Sequence, residues 1–226
     1  MSLWIKICAN TSLEDALLAA EAGADAVGFV FAPSPRRMTA AGVAAIAPQL
    51  PDSVEKIGVF VDATVEEIEA TVRACGLTGV QLHSEAGTDA AMRLRGRFGS
   101  ELHILRVVHF GAEAAELAES WGRDPHLDSV LVDSRTAAAI GGTGVAFDWL
   151  AASATIFQNT GVTRLRLVAA GGLNPANVAE AIATLRPWGV DVASGVEAAP
   201  GRKDPAKLRS FVANARAAAE SCETHS

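Results

Sequence analysis

Eight times along its length the chain repeats one pattern, a short run rich in Val, Ile and Leu followed by an Ala-rich amphipathic stretch of helical length. The strand candidates are 4–8 (WIKIC), 26–31 (AVGFVF), 56–61 (KIGVFV), 79–82 (GVQL), 103–108 (HILRVV), 129–133 (SVLVD), 165–169 (LRLVA) and 190–193 (VDVA), each followed by a helix candidate. Strands that are apolar on both faces and separated by helices imply a parallel sheet covered by helices, and right-handed crossovers leave few ways to wind it. Eight units in 226 residues suit the α/β class and a single (βα)8 TIM barrel spanning 1–226. A doubly wound open sheet has the same alternation, and the placement of chemistry along the strands separates the two. Helix starts are readable at Ser12 with Asp15, at Thr64 with Glu67, and at Asn174-Pro175.

Half of the residues are apolar and 20% are charged, the balance of one globular domain. A chain of this length buries roughly 70–75% of its unfolded surface, so packing alone can hold it together. A net charge of −7 without any block of like charge argues against nucleic acid as a partner. Anionic small molecules stay open, because helix N-termini and a few local cations bind them whatever the net charge. Cys8, Cys75 and Cys222 are odd in number and too far apart for a CxxC or zinc pattern, so neither a disulfide framework nor a metal is expected and the compartment is reducing. MSLWIKIC lacks the apolar stretch of a signal peptide, and no run approaches the length of a membrane span. The expectation is a cytoplasmic protein without a membrane partner.

In a barrel, chemistry gathers where strands hand over to the loops that follow, and the loops after strands 7 and 8 often hold a phosphate. Here strand 1 ends in Cys8, strand 6 in Asp133, strand 7 runs into Ala170-Gly171-Gly172-Leu173, and strand 8 into Ser194-Gly195. A lone Gly-Gly pair commonly serves a tight turn. Two such loops on strands 7 and 8, with a helix opening near Asn174, favour a phosphate cradle of backbone N–H groups. Gly141-Gly142-Thr143-Gly144 lacks the Lys-Ser or Lys-Thr that completes a P-loop and reads as a flexible loop. A strand-end cysteine is commonly an inert core residue, but near the anion-binding end of a barrel, with helix N-termini close by, the Cys8 thiolate gains stability and can take a proton. Cys75, near a helix end, and Cys222, in a polar tail, have no such setting. Asp133 suits a general acid at the barrel mouth or a carboxylate capping a loop. Arg36 and Arg37 offer a fork for a substrate carboxylate, or are solvated. His83 and Asp191 have no partners at metal or triad spacing, and His83 reads as a hydrogen-bonded strand-end residue.

The segments KICAN (6–10), LEDALLAAEAGADAVGFVFAPSPR (13–36), GVFVD (58–62), VQLH (80–83), LVDS (131–134), GGTGVAFDW (141–149), GGLNPANV (171–178) and DVASGVEAAPGRKD (191–204) cover nearly the whole chain. In combination they closely resemble the phosphoribosylanthranilate isomerases of tryptophan biosynthesis. That resemblance implies an Amadori rearrangement of N-(5′-phosphoribosyl)anthranilate to the open-chain carboxyphenylamino-deoxyribulose phosphate, run by one acid and one base without any cofactor. By resemblance, Asp133 is the acid that protonates the ribose ring oxygen, and Cys8 is the base that removes the C2′ proton. Arg36 meets the anthranilate carboxylate, and Gly172, Ser194 and Gly195 fall in the phosphate site. The implied partner is a phosphorylated small molecule, bound by a monomer or a homodimer.

Several positions depart from the family pattern. Ala9 stands where glycine usually follows the cysteine, and Val145 where lysine closes the GGTGK segment. Ser84 and Glu85 follow VQLH where glycine and an acidic residue are common, and the loop before Arg36 is one residue short. Other phosphate-binding barrels fit less well. A histidine-pathway aldose–ketose isomerase would end strands 1 and 5 in aspartates, where Cys8 and Val108-His109 stand, and an indole-glycerol-phosphate synthase needs a strand-end lysine that this chain lacks. A non-catalytic barrel that binds a phosphorylated ligand is the alternative of a different class.

Overall fold

The computed structural model of the chain describes residues 3–83, 89–111, 113–133, 152–157 and 166–224. Eight parallel strands close into a barrel in sequence order. They are β1 (Trp4–Ile7), β2 (Ala26–Val30), β3 (Glu55–Phe60), β4 (Gly79–Leu82), β5 (His103–His109), β6 (Ser129–Asp133), β7 (Arg166–Ala170) and β8 (Gly189–Val192). Closure is made by β1 against β8, in register from Trp4↔Gly189 to Ile7↔Val192. This pairing rules out the open sheet.

The helices are α1 (Leu13–Glu21), α2 (Ala40–Ile46), α3 (Val65–Cys75), α4 (Asp89–Phe98), α5 (Ala114–Gly122), α6 (Val178–Leu185) and α7 (Pro205–Thr224). Their starts follow local chemistry. Ser12 accepts from the Asp15 N–H at 3.1 Å, and Thr64 and Glu67 form a reciprocal capping box. Asn174 takes the Ala176 N–H at 2.8 Å, opening a turn that leads into α6 three residues later than the sequence suggests. Cys222 lies within α7 and packs against the core, so the expected polar tail is wrong there: the helical Ala-rich run continues to Thr224. Between β6 and β7 the described residues hold a π-helical turn, Ser153–Phe157.

Alternation along each strand sorts its side chains into two sets. One set, including Ile5, Ile7, Val27, Phe29 and Val80, packs outward under the helices. The other fills the barrel with Trp4, Ala26, Ile57, Leu105, Val107, Leu131, Val168 and Ala170. The floor is closed by Trp4 stacked on Trp188 at 5.1 Å, with His103 bridging Glu55 at 2.7 Å and Ser129 at 2.9 Å. With the N-terminal end of the barrel sealed, room for a ligand is left at the other end, where the strands terminate.

Candidate active site

Two residues on from Trp4 along β1 comes Lys6, and two further comes Cys8, on the same inward face. Strand β1 stops at Ile7, so Cys8 opens the loop, its N–H still donating to Val192 O at 2.8 Å. Lys6 is completely buried. Its Nζ donates to Gln81 Oε1 on β4 and to Asp191 Oδ1 on β8, both at 2.8 Å, and its charge acts on the neighbouring Cys8 side chain. Room for these groups comes from Gly28 on β2, where a Cβ would sit 2.8 Å from Cys8 Sγ and 3.2 Å from Lys6 Cε.

Burial pushes the Cys8 thiol above its ordinary range, Lys6 pulls it down, Asp191 pushes it up again and Lys203 pulls it down, with the balance on the high side. Two buried lysines thus face Cys8, where the sequence reading had looked to helix N-termini. Burial also opposes the Lys6 charge, but Asp191 and then Cys8 outweigh it and hold this ammonium above the ordinary lysine range. Beside Cys8, Ala9 adopts a left-handed φ of 61°. Glycine takes that conformation without strain, which gives a physical reason for glycine to be usual at this position in the family.

Arg36 sits in the loop after β2, with its fork turned onto Glu197. Nε donates to Oε1 at 2.8 Å and Nη2 to Oε2 at 2.6 Å. Burial disfavours the Glu197 carboxylate, but Arg36 and Lys203 outweigh it and hold this group below the usual carboxylate range. Glu197 begins β9 (Glu197–Ala199), which forms a small hairpin with β10 (Arg202–Lys203) after the barrel closes. From β10 the buried Lys203 Nζ reaches Cys8 O at 2.6 Å and Glu197 Oε1 at 3.5 Å. A continuous chain of contacts therefore runs from the arginine fork to the backbone of Cys8. Arg37 is exposed, as the solvated reading anticipates.

Across the mouth, Asp133 ends β6 and is buried. Its backbone pairs with Ala170 of β7, and its carbonyl accepts from the Phe110 N–H at 2.9 Å. After β7, Gly171 and Gly172 have φ of 84° and 64°, left-handed conformations that turn backbone groups sharply at the strand end. Ser194 opens a short 3-10 turn after β8, and a Cβ on Gly195 would lie only 1.9 Å from Leu173 O, so the two loops touch through a glycine that nothing else can replace. Around the rim the order is Asp133 (β6), Gly171 and Gly172 (β7), Ser194 and Gly195 (β8), Cys8 (β1) and Arg36 (after β2), on five consecutive strands. The glycine loops lie between acid candidate and base candidate.

His83 donates its backbone N–H to Phe60 O at 3.1 Å. Asp191, set aside in the sequence because it lacks metal or triad spacing, is the partner of Lys6. Among the described residues there is no cluster of three or more groups suited to a metal ion, and no helix is long and apolar enough to cross a membrane. The Gly141-Gly142-Thr143-Gly144 segment, Val145, Ser84 and Glu85 lie outside the described residues. Sequence reasoning missed Lys6, Gln81, Glu197 and Lys203. Only Lys6 carried a local signal, a charge inside an apolar strand two positions from Cys8.

The family model for N-(5′-phosphoribosyl)anthranilate (PRA) isomerase matches residues 5–214. An N-(5′-phosphoribosyl)anthranilate isomerase from Citrifermentans bemidjiense is 44% identical over 214 residues, covering 94% of this chain and 96% of that one. One from Myxococcus xanthus is 42% identical, covering 96% and 97%. The crystal structure of the Thermotoga maritima enzyme superposes with a TM-score of 0.82 at 36% identity, covering 95% of this chain and 99% of that one. A phosphoribosyl anthranilate isomerase solved in complex with reduced 1-(o-carboxyphenylamino)-1-deoxyribulose 5-phosphate matches with a TM-score of 0.80, also at 36% identity and covering 95% and 99%. The closed parallel barrel, the strand-end residues and these likenesses converge: the chain belongs to the family of N-(5′-phosphoribosyl)anthranilate isomerases.

Proposed function

We propose that the chain isomerises N-(5′-phosphoribosyl)anthranilate in tryptophan biosynthesis with Cys8 as general base and Asp133 as general acid. The observation that carries this is the rim order, in which two glycine loops suited to a phosphate separate a buried carboxyl on β6 from a buried thiol after β1. The ligand in one solved relative has a phosphate at one end and an aryl carboxylate at the other. A substrate of that shape would place its phosphate against Gly171, Gly172, Ser194 and Gly195 and its carboxylate towards Arg36, holding the ribose between acid and base.

Asp133 gives its proton to the ribose ring oxygen, and the ring opens to a protonated Schiff base. The Cys8 thiolate then takes the C2′ proton, leaving an enolamine that tautomerises to the ketone. At the end Cys8 holds one proton more and Asp133 one fewer, and exchange with solvent resets both. Every step moves protons within one substrate, so the scheme needs neither redox cofactor nor metal. The phosphorylated substrate fits a cytoplasmic enzyme acting as a monomer or, like the dimeric Thermotoga maritima relative, as a homodimer.

Fluorescence loss on mixing protein with freshly generated substrate tests the assignment. Wild type turns over, while Cys8→Ala and Asp133→Asn each lose about 10²–10⁴-fold in kcat. An inactive wild type, as expected of a barrel that only binds ligand, or variants as fast as wild type, would refute it.

A further inference from the structure

A buried lysine that only served the fold would be satisfied by an acid and an amide. Lys6 has both, yet it also meets the sulfur. An ammonium has three N–H donors; two go to Gln81 Oε1 and Asp191 Oδ1 at 2.8 Å each, and the Cys8 side chain lies next to the same lysine on the inward face. The position of the lysine is fixed from two sides, since β4 and β8 each contribute one hydrogen bond to a side chain with no exposed surface. Gly28 independently places sulfur and lysine stem together, because a single added Cβ would crowd Cys8 Sγ at 2.8 Å and Lys6 Cε at 3.2 Å. Removing an ammonium from water is costly unless charge and hydrogen bonds compensate it, and a permanent partner such as Asp191 fixes the cation where a second anion can form.

We propose that Lys6 is the resident counter-cation of the Cys8 thiolate, a positioning residue locked by Asp191 and Gln81 that makes the base available inside a closed barrel. This rests on the reading of Cys8 as general base. Among the described residues, the charged groups facing Cys8 are Lys6 of β1, Asp191 of β8, Lys203 of β10 and Arg36 after β2. Lys203 is engaged with the carbonyls of Cys8 and Ala193 and with Glu197, and Arg36 with Glu197. Lys6 is thus the cation that lies beside the sulfur on the inward face, and Asp191 is the anion that opposes it. The thiol releases its proton to solvent to form the thiolate, takes the C2′ proton in the reaction, and releases it again.

The test is the ultraviolet titration of the thiolate in wild type, Lys6→Met, Lys6→Arg and Asp191→Asn, each measured against the same chain carrying Cys8→Ser, together with the pH dependence of kcat/KM. Lys6→Met should move the Cys8 titration up by about 1–3 pH units and Asp191→Asn should move it down, as expected for removal of an adjacent opposite or like charge. Lys6→Arg should stay near wild type. The acidic limb of kcat/KM should follow in the same directions, with a neutral-pH loss of about tenfold or more for Lys6→Met. A Lys6→Met titration that coincides with wild type, or shifts of the same sign in Lys6→Met and Asp191→Asn, would overturn the proposal. Should Lys6→Met fail to fold, the downward shift in Asp191→Asn and the retained titration in Lys6→Arg decide it. Full turnover by Cys8→Ser would instead sink the base assignment, and the titrations would still report whether Lys6 governs the thiol.

Discussion

Ala9 carries the clearest local strain near the chemistry. A left-handed backbone costs an L-residue roughly 1–2 kcal/mol, while glycine is looser in the unfolded chain by about 0.5–1 kcal/mol. Ala9→Gly should therefore stabilise the protein by about 0.5–1 kcal/mol, read as a higher urea midpoint at unchanged slope. A lower midpoint would show that φ of 61° is not strained in this loop. Glu197 makes the second prediction at this scale. Glu197→Gln removes the anion that orients Arg36, so KM should rise by about tenfold with kcat changing less, as expected when a positioning contact is lost but the reacting groups remain. The pH dependence has a definite sign. Glu197 is held below its ordinary range, so its ion pair is intact above the unfolded value and lost as pH falls through the lower, folded value. In wild type, KM should hold steady through the usual carboxylate range and rise only below it; a rise already within that range would contradict the pairing. Each residue missed in the sequence has a partner far along the chain, as Glu197 has in Arg36, 161 positions away.

At the scale of elements, the strands and the starts of α1 and α3 were legible because their causes are local. Short runs rich in Val, Ile and Leu marked all eight strands to within a residue or so at each end, and Ser12 and Thr64 cap helices through atoms three residues away. Alternation along residues 4–8 puts Lys6 and Cys8 on one face, a local signal the sequence reading left unused. The chain alone does not say how the loops after β7 and β8 lean on each other, and there one glycine decides. Gly195→Ala would drive a methyl into the Leu173 carbonyl, forcing these loops apart at a cost of about 1–3 kcal/mol. If the loops hold the substrate phosphate, KM should rise at least about tenfold as that anchor is lost. A wild-type KM alongside a lowered urea midpoint would move the phosphate elsewhere.

The whole molecule divides along the barrel axis, with packing at the floor and protons at the mouth. Trp4→Ala empties the floor beneath Trp188 and His103 and should cost about 3–5 kcal/mol, some 6–20 °C in Tm for a chain of this size. The pH profile of kcat/KM should keep its shape, and a displaced limb would mean that floor and mouth are coupled. What the sequence by itself determined was everything set within a few residues: strands, helices, caps, and the presence of Cys8, Asp133 and the glycines at strand ends. The eight units and the chemistry at the strand ends already favoured a barrel, but closure itself is tertiary, because barrel and open sheet share one alternation and differ in whether β8 hydrogen-bonds to β1. That closure brings Lys6 to Asp191 across 185 positions and surrounds the Cys8 thiol with charge. Such contacts exist only once the sheet has curled on itself, since electrostatic coupling depends on distance through space and burial, neither of which is written in local sequence.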